Sequence, residues 1–220
     1  MKKFGSFILF AVVLSVQIGA QKSLAIGGYF SPSYTSRVTS SSEELSWLNT
    51  DMSNISRGGF GYSAGVFGEK KFSEKLSLRA GLGYLNMVET IDSLTDLGVD
   101  FYKSNYRFIE LPVVASYSFG SNKYARPYFS FGYVLNYYIN NRIAYSYAGS
   151  NNEETLLVKN DFNSINHALR VSFGYDFVLD KKWNVRTECY ATSFVSSITN
   201  QGINRRPVAF GLSLSLRKSK

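Results

Sequence analysis

Residues 167–177 read HALRVSFGYDF, a stretch in which large apolar side chains alternate with small, polar or charged ones. One parity consists of Leu169, Val171, Phe173, Tyr175 and Phe177. The other parity consists of Ala168, Arg170, Ser172, Gly174 and Asp176. Because successive side chains of a β-strand point to opposite faces, this alternation predicts a strand with one large apolar face and one small polar face.

Three other stretches repeat this division into large apolar and small polar residues. Their apolar parities contain Val208, Phe210, Leu212, Leu214 and Leu216, then Phe129, Phe131, Tyr133, Leu135 and Tyr137, then Leu76, Leu78, Leu82 and Tyr84. Their other parities contain Ala209, Gly211, Ser213 and Ser215, then Ser130, Gly132 and Asn136, then Ser77, Arg79, Gly81 and Gly83. A soluble lipocalin-like barrel, the alternative, would place its apolar residues inside. We therefore expect a barrel whose apolar outer wall faces lipid.

Period-two alternation predicts eight strands, at residues 24–34, 58–71, 75–88, 105–119, 126–139, 165–179, 183–196 and 207–217. The connections after strands two, four and six are short, at residues 72–74, 120–125 and 180–182. Those after strands one, three, five and seven are long and polar, at residues 35–57, 89–104, 140–164 and 197–206. Outer-membrane barrels alternate short periplasmic turns with longer extracellular loops. The sequence therefore predicts an all-β, eight-stranded antiparallel up-and-down transmembrane β-barrel with both termini in the periplasm.

The first residues have the pattern of a secretory signal peptide. Lys2 and Lys3 precede an apolar run at residues 7–16, and the small residues Gly19 and Ala20 follow it. A membrane helix is the alternative, but this run is shorter than the roughly 20 residues that a spanning helix needs. We expect a signal peptide at residues 1–20 and an outer-membrane barrel at residues 21–220.

Composition and charge narrow the choice of function. The formal net charge is +8, but the basic residues are scattered through turns and strand ends, so we expect no nucleic-acid partner. The single cysteine, Cys189, alternates with Thr187 and Ala191, which indicates a small wall residue rather than a reactive thiol. Stability is therefore expected from backbone pairing and packing.

The inward parity carries charged residues of both signs. An eight-stranded lumen is about wide enough for side chains alone, and an isolated buried charge is very costly. We therefore expect an interior salt-bridge and hydrogen-bond network that plugs the lumen, with a proton or ion path as the alternative. Its members are Glu69, Arg79, Glu110, Arg170, Asp176, Arg186 and Glu188.

Two neighbouring strands carry a more specific pattern. Residues 107–117 read RFIELPVVASY, and residues 126–132 read RPYFSFG. They resemble the PorT-like outer-membrane β-barrel domain family of Bacteroidetes-type bacteria, in which one strand reads hydrophobic-Glu-aliphatic-Pro-aliphatic. The resemblance implies an eight-stranded outer-membrane barrel, and some members are linked to secretion or gliding machinery. The chain departs from this family at its end, which reads LRKSK where an aromatic residue is common. In the stretch 107–117, Pro112 predicts a bulge or the end of strand pairing beside Glu110.

The sequence contains few candidate catalytic or metal-binding residues. His167 is the only histidine, and the nearby Ser164 is its one candidate partner for lipid hydrolysis. Asp92, Asp96 and Asp100 lack the spacing of a calcium loop, so only weak ion binding is considered there. We expect no cofactor and no enzymatic activity.

The leading prediction is a non-enzymatic envelope component that contacts outer-membrane lipid, the barrel-insertion machinery and envelope or secretion-system proteins. Aromatic residues in the long loops, such as Trp47, Tyr145 and Tyr147, suit partner contact. A small pore or transport-associated barrel is the first alternative, and an outer-membrane lipid enzyme is the second.

Overall fold

A computed structural model describes residues 24–39, 56–94, 99–120, 122, 124–147, 153–158, 162–180, 182–199 and 205–219. This part of the chain forms nine strands: β1 Leu24–Thr39, β2 Ser56–Lys71, β3 Leu76–Leu94, β4 Val99–Ser118, β5 Ala125–Tyr147, β6 Glu153–Val158, β7 Ile165–Val178, β8 Trp183–Phe194 and β9 Arg205–Ser219. No helix in these ranges is long and apolar enough to cross a membrane. The predicted signal peptide at residues 1–20 lies outside the described residues, so its removal stays a prediction.

Eight of the strands close into an antiparallel barrel in the order β1, β2, β3, β4, β5, β7, β8 and β9. The last strand pairs with the first, from Ala25 opposite Ser219 to Thr39 opposite Arg205. Closure gives the backbone N–H and C=O groups partners, which hydrocarbon cannot provide. The predicted fold class is confirmed.

Six of the eight barrel strands are longer at the end with the long connections than the sequence predicted, whereas β7 begins where predicted and β8 ends two residues earlier. β3 continues to Leu94 and β4 begins at Val99, so most of the predicted loop 89–104 is a hairpin. The predicted loop 140–164 is also partly strand, because β5 continues to Tyr147 and β6 pairs with it. These extensions have no continuous apolar parity, because they are held by backbone pairing and contribute no lipid-facing surface. The alternation that located the other strands is therefore missing.

The wall has the predicted facing. Large apolar residues are exposed on the outer surface, including Phe131 and Leu212 at 52% and 61%. The alternating partners, such as Ser130 and Ser213, are buried inside. Cys189 is exposed on the same outer surface, opposite Phe173 on one neighbouring strand. The apolar face thus points away from the lumen, which excludes the lipocalin-like alternative.

Pro112 interrupts pairing on one side only. It pairs with Val134 of β5, whereas the ladder between β3 and β4 stops after Ala80 opposite Val113. That ladder resumes in the same register at Gly83 opposite Glu110, because proline lacks only the N–H that would face β3. Of the two alternatives predicted for Pro112, the bulge is therefore wrong, and a local break in pairing is found on the β3 side alone. The register shifts of this strand against β5 lie at residues 99–101 and 107–108 instead.

Candidate functional site

The lumen is the candidate site because the inward parity brings charged residues from six strands together. All seven residues predicted for the interior are buried: Glu69 on β2, Arg79 on β3, Glu110 on β4, Arg170 and Asp176 on β7, and Arg186 and Glu188 on β8. They occupy the half of the barrel nearer the short turns, together with one arginine that was not predicted, Arg217 on β9.

The first group of ion pairs lies next to the turns. Arg186 Nη1 is 3.1 Å from Glu69 Oε2, and Arg186 Nη2 is 3.7 Å from Asp176 Oδ2. Arg217 donates from Nη1 to Glu69 and from Nη2 to Asp176. Two arginines on neighbouring strands thus share two carboxylates from β2 and β7. The inward parity of Ser213 and Ser215 extends to position 217, and this signal identifies Arg217 from the sequence.

A second group is centred on the Glu188 carboxylate. Arg79 Nη2 lies 3.1 Å from Glu188 Oε1, while the Tyr128 hydroxyl donates to Oε2 over 2.7 Å. The Ser172 hydroxyl donates to the same Oε2 over 3.0 Å. The Arg186 guanidinium lies 4.4 Å from the centroid of the Tyr128 ring, a cation–π distance that connects this group with the first one.

A third group lies further toward the long connections. Arg170 Nη2 is 3.4 Å from Glu110 Oε2, and the Tyr29 hydroxyl donates to Glu110 Oε1 over 2.5 Å. Arg170 Nε also donates to the Thr192 hydroxyl over 3.0 Å. Its guanidinium lies 4.8 Å from the centroid of the Tyr190 ring. Glu110 is therefore held by β1 and β7, both distant in sequence.

The charges of the three groups balance. Four arginines face four carboxylates, namely Arg79, Arg170, Arg186 and Arg217 against Glu69, Glu110, Asp176 and Glu188. Removing one partner of a buried pair typically costs about 3–5 kcal/mol, because the other charge stays buried without compensation. The network thus ties the walls together across the lumen and fills its lower half.

Above the ion pairs, the lumen is closed by apolar side chains. Phe162 and Ile198 come from the connections, where Phe162 forms an isolated backbone bridge with Thr199. The Phe162 ring stacks on Tyr138 with centroids 4.8 Å apart and meets Tyr106 edge-on at 5.5 Å. We call this cluster the aromatic stopper; its buried members are Leu85, Met87, Tyr106, Phe108, Val134, Tyr138, Phe162, Ala168, Phe194 and Ile198.

The sequence did not predict the aromatic stopper. Phe162 lies in a predicted polar loop, and Ile198 lies in another. Their anchoring depends on Asn163, whose side-chain amide donates to the Ser197 and Thr199 carbonyl oxygens over 2.8 and 3.1 Å. A contact between two connections leaves no periodic pattern in the sequence from which it could be predicted.

The candidate catalytic and metal-binding residues do not form a site in the described residues. His167 lies on the outer wall, and its Nδ1 is hydrogen-bonded to the Tyr133 hydroxyl rather than to Ser164. No group of three His, Cys, Asp or Glu side chains able to hold a metal occurs in the ranges that the structure describes. The structure does not describe the side chains of Asp92, Asp96 and Asp100, so the predicted weak ion binding there stays a prediction.

An apolar outer surface around an ion-paired lumen defines an integral membrane β-barrel. Residues 16–198 match the outer membrane protein beta-barrel domain family, and the chain belongs to this family. It is therefore an integral outer-membrane protein. The finer resemblance to PorT-like proteins stays a prediction.

Two solved structures share the fold. Neisserial surface protein A is 12% identical, with 90% of this chain and 97% of that chain covered and a TM-score of 0.51. The outer membrane protein OprG from Pseudomonas aeruginosa is 12% identical, with 91% and 96% covered and a TM-score of 0.53. No curated protein matches the sequence significantly. At this identity the two structures support the architecture alone.

Proposed function

We propose that this protein is a non-enzymatic, non-conducting outer-membrane barrel that serves the cell envelope as a structural and interaction component. Its short turns and both termini face the periplasm, and its long strand extensions and loops face the cell surface. The barrel-insertion machinery places it in the membrane. Envelope or secretion-system proteins are its partners, in keeping with the PorT-like resemblance.

The observation that supports this proposal is the filled lumen. The three groups of ion pairs, with four arginines and four carboxylates, cross its lower half, and the aromatic stopper covers its upper half. An ion that crossed the barrel would have to separate buried charge pairs and pass a layer of buried aromatic side chains, both at high cost in free energy. A role that depends on flow through the barrel is therefore disfavoured.

Planar-bilayer recording tests the closed lumen. Purified wild-type protein is expected to give no stable large conductance. The variant Phe108→Ala/Tyr138→Ala/Phe162→Ala removes three rings of the stopper and is expected to give more frequent brief openings. The control variant Phe129→Ala/Phe131→Ala/Phe173→Ala removes three rings from the outer wall and is expected to stay closed. A stable large conductance of the wild type would overturn the proposal.

Partner contact is supported by apolar residues on the strand extension beyond the barrel wall. Leu156 and Leu157 on β6 are exposed at 54% and 59%, where lipid-facing wall strands have ended. Co-purification from detergent-extracted envelopes is expected to recover partner proteins with the wild type and to lose them with Leu156→Ser/Leu157→Ser. Phe72→Ser in the exposed turn at the other end is the control. A barrel always recovered alone, with turnover of added phospholipid, would favour the enzyme alternative instead.

A further inference from the structure

The outer surface of β4 and β5 changes from apolar to cationic within one row of residues. Tyr84, Ile109 and Tyr137 lie side by side across β3, β4 and β5, since Tyr84 is opposite Ile109 and Ile109 is opposite Tyr137. The next outward position on β4, two residues further toward the long connections, is Arg107. Aromatic residues of membrane barrels mark the boundary between hydrocarbon and headgroups. Arg107 therefore lies at headgroup depth.

Two further cations lie beside Arg107. Lys103 and Asn105 follow it on the same face of β4, and Arg142 of β5 is directly opposite Asn105. The Asn105 side-chain amide donates to the Arg142 carbonyl oxygen over 3.4 Å. Same-face neighbours along a strand and diagonal neighbours across strands are about 7 Å apart. Lys103, Arg107 and Arg142 thus surround Asn105 and form one patch, which we call the cationic rim.

No acidic side chain among the described residues neutralises the cationic rim. Lys103, Arg107 and Arg142 have no ion-pair partner within the described part of the chain, in contrast to the four arginines of the lumen. The β6 residue opposite Arg142 is the exposed Leu157. Arg142 itself is exposed, and Lys103 and Arg107 are half-buried. Their charge is therefore available to a ligand that approaches from the membrane side.

Two amides flank Arg107 in its row. Asn86 of β3 and Asn140 of β5 are its cross-strand neighbours. The Oδ1 atom of each is buried and has no hydrogen-bond partner in the described ranges. The row therefore combines a guanidinium with two unsatisfied amide groups, which suits a ligand that carries both phosphate and hydroxyl groups.

We propose that the cationic rim binds the phosphorylated, hydroxyl-bearing headgroup of a membrane glycolipid. The planar guanidinium groups of Arg107 and Arg142 donate bidentate hydrogen bonds to phosphate oxygens, and the Lys103 ammonium adds a third positive charge. The acyl chains of the same lipid lie along the wall below, beside Ile109 and Tyr137. The site depends on the fold, and only its assignment to the outer leaflet rests on the orientation proposed above.

The test measures lipid binding by native mass spectrometry on the purified full-length protein in a zwitterionic detergent. The probes are a bisphosphorylated diglucosamine lipid, its dephosphorylated form, and inorganic phosphate. The wild type is expected to retain the phosphorylated lipid selectively. A cation near an anionic membrane surface contributes about fivefold in affinity, so Lys103→Gln/Arg107→Gln/Arg142→Gln is expected to weaken binding by about 100-fold.

The matched control removes three cations from the opposite end of the barrel. Lys75→Gln/Lys182→Gln/Lys218→Gln changes the net charge equally and is expected to bind the lipid like the wild type. The single variant Arg142→Gln changes an exposed residue and tests the site, with an expected loss of about fivefold, if the triple variant does not fold. Folding of each variant is checked by circular dichroism.

Three outcomes would overturn the inference. The first is equal retention of the phosphorylated and dephosphorylated lipids, and the second is unchanged binding by the triple variant. The third is displacement of the lipid by millimolar inorganic phosphate, which would indicate a free-phosphate site instead. None of them bears on the closed lumen, because the rim lies on the outer surface and conductance is measured separately.

Discussion

Arg217 shows how much a single inward-facing side chain contributes near the end of a barrel strand. It contacts carboxylates on β2 and β7, while Lys218 beside it is exposed on the outer face. This arginine lies where it can pair with both the Glu69 and the Asp176 carboxylates. Parity counted past Ser215 identifies the inward position, but only the structure identifies the partners.

We expect Arg217→Met to destabilise the barrel by about 3–5 kcal/mol, because the buried Glu69 and Asp176 carboxylates would each lose an ion-pair partner. Lys218→Gln is the control and is expected to have little effect. The measurement is urea unfolding in lipid vesicles, followed by intrinsic fluorescence. Equal stability of the two variants would show that the ion pairs of Arg217 do not hold the wall.

Gly83 lies where the wall closely approaches the ion-pair network. A Cβ added at this position would collide with the Tyr29 hydroxyl and lie 3.1 Å from Glu110 Oε1. Gly83→Ala is therefore expected to displace Tyr29 from Glu110 and to destabilise the barrel by about 1–3 kcal/mol. Gly68→Ala is the matched control, since a Cβ there meets no atom within 4 Å. The same unfolding experiment compares them, and an equal effect of both substitutions would contradict the argument.

At the scale of strands and turns, the sequence predicts the segments whose side chains alternate regularly and misses the segments without such a pattern. β7 and the wall part of β5 are predicted because lipid on one side and a narrow lumen on the other impose strict alternation. β6 and the upper parts of β3 and β4 lie beyond the apolar wall, so they are held by backbone pairing and have no continuous apolar parity. The aromatic stopper is missed for a related reason, since Phe162 and Ile198 meet through connections rather than through a repeat.

The turn between β7 and β8 predicts a local pH dependence. The Asp180 carboxylate accepts the backbone N–H groups of Lys182 and Trp183 over 2.6 and 2.7 Å, and these hydrogen bonds lower the pKa of Asp180 below its ordinary value. The turn is thus stabilised above the pKa that the carboxyl has in the unfolded chain, and this stabilisation is lost as the pH falls through the lower, folded pKa.

Nuclear magnetic resonance follows the amide protons of Lys182 and Trp183 during an acid titration. We expect both signals to shift only at a pH below the normal range for aspartate. Asp180→Asn keeps an oxygen acceptor and is expected to remove the titration while leaving the turn intact. A titration of these amides at the ordinary pKa of aspartate would show that the hydrogen bonds are not formed in solution.

We expect the whole molecule to be stable only when lipid surrounds it, because its outer wall is apolar and its interior carries buried charges. This arrangement, with apolar residues outside and charged residues inside, predicts the effect of placing a charge on the outer wall. Phe131 lies midway along the wall part of β5, opposite Val171 on β7 and Ala115 on β4. Phe131→Arg places a cation in hydrocarbon and is expected to destabilise the folded barrel by about 2–4 kcal/mol. Leu156→Arg on β6 adds the same charge above the wall and is expected to cost little. Equilibrium folding into vesicles of uncharged lipid measures both changes, and an equal cost would mean that Phe131 does not face lipid. A Phe131→Arg protein that became soluble and monomeric without detergent would contradict the membrane-facing wall itself.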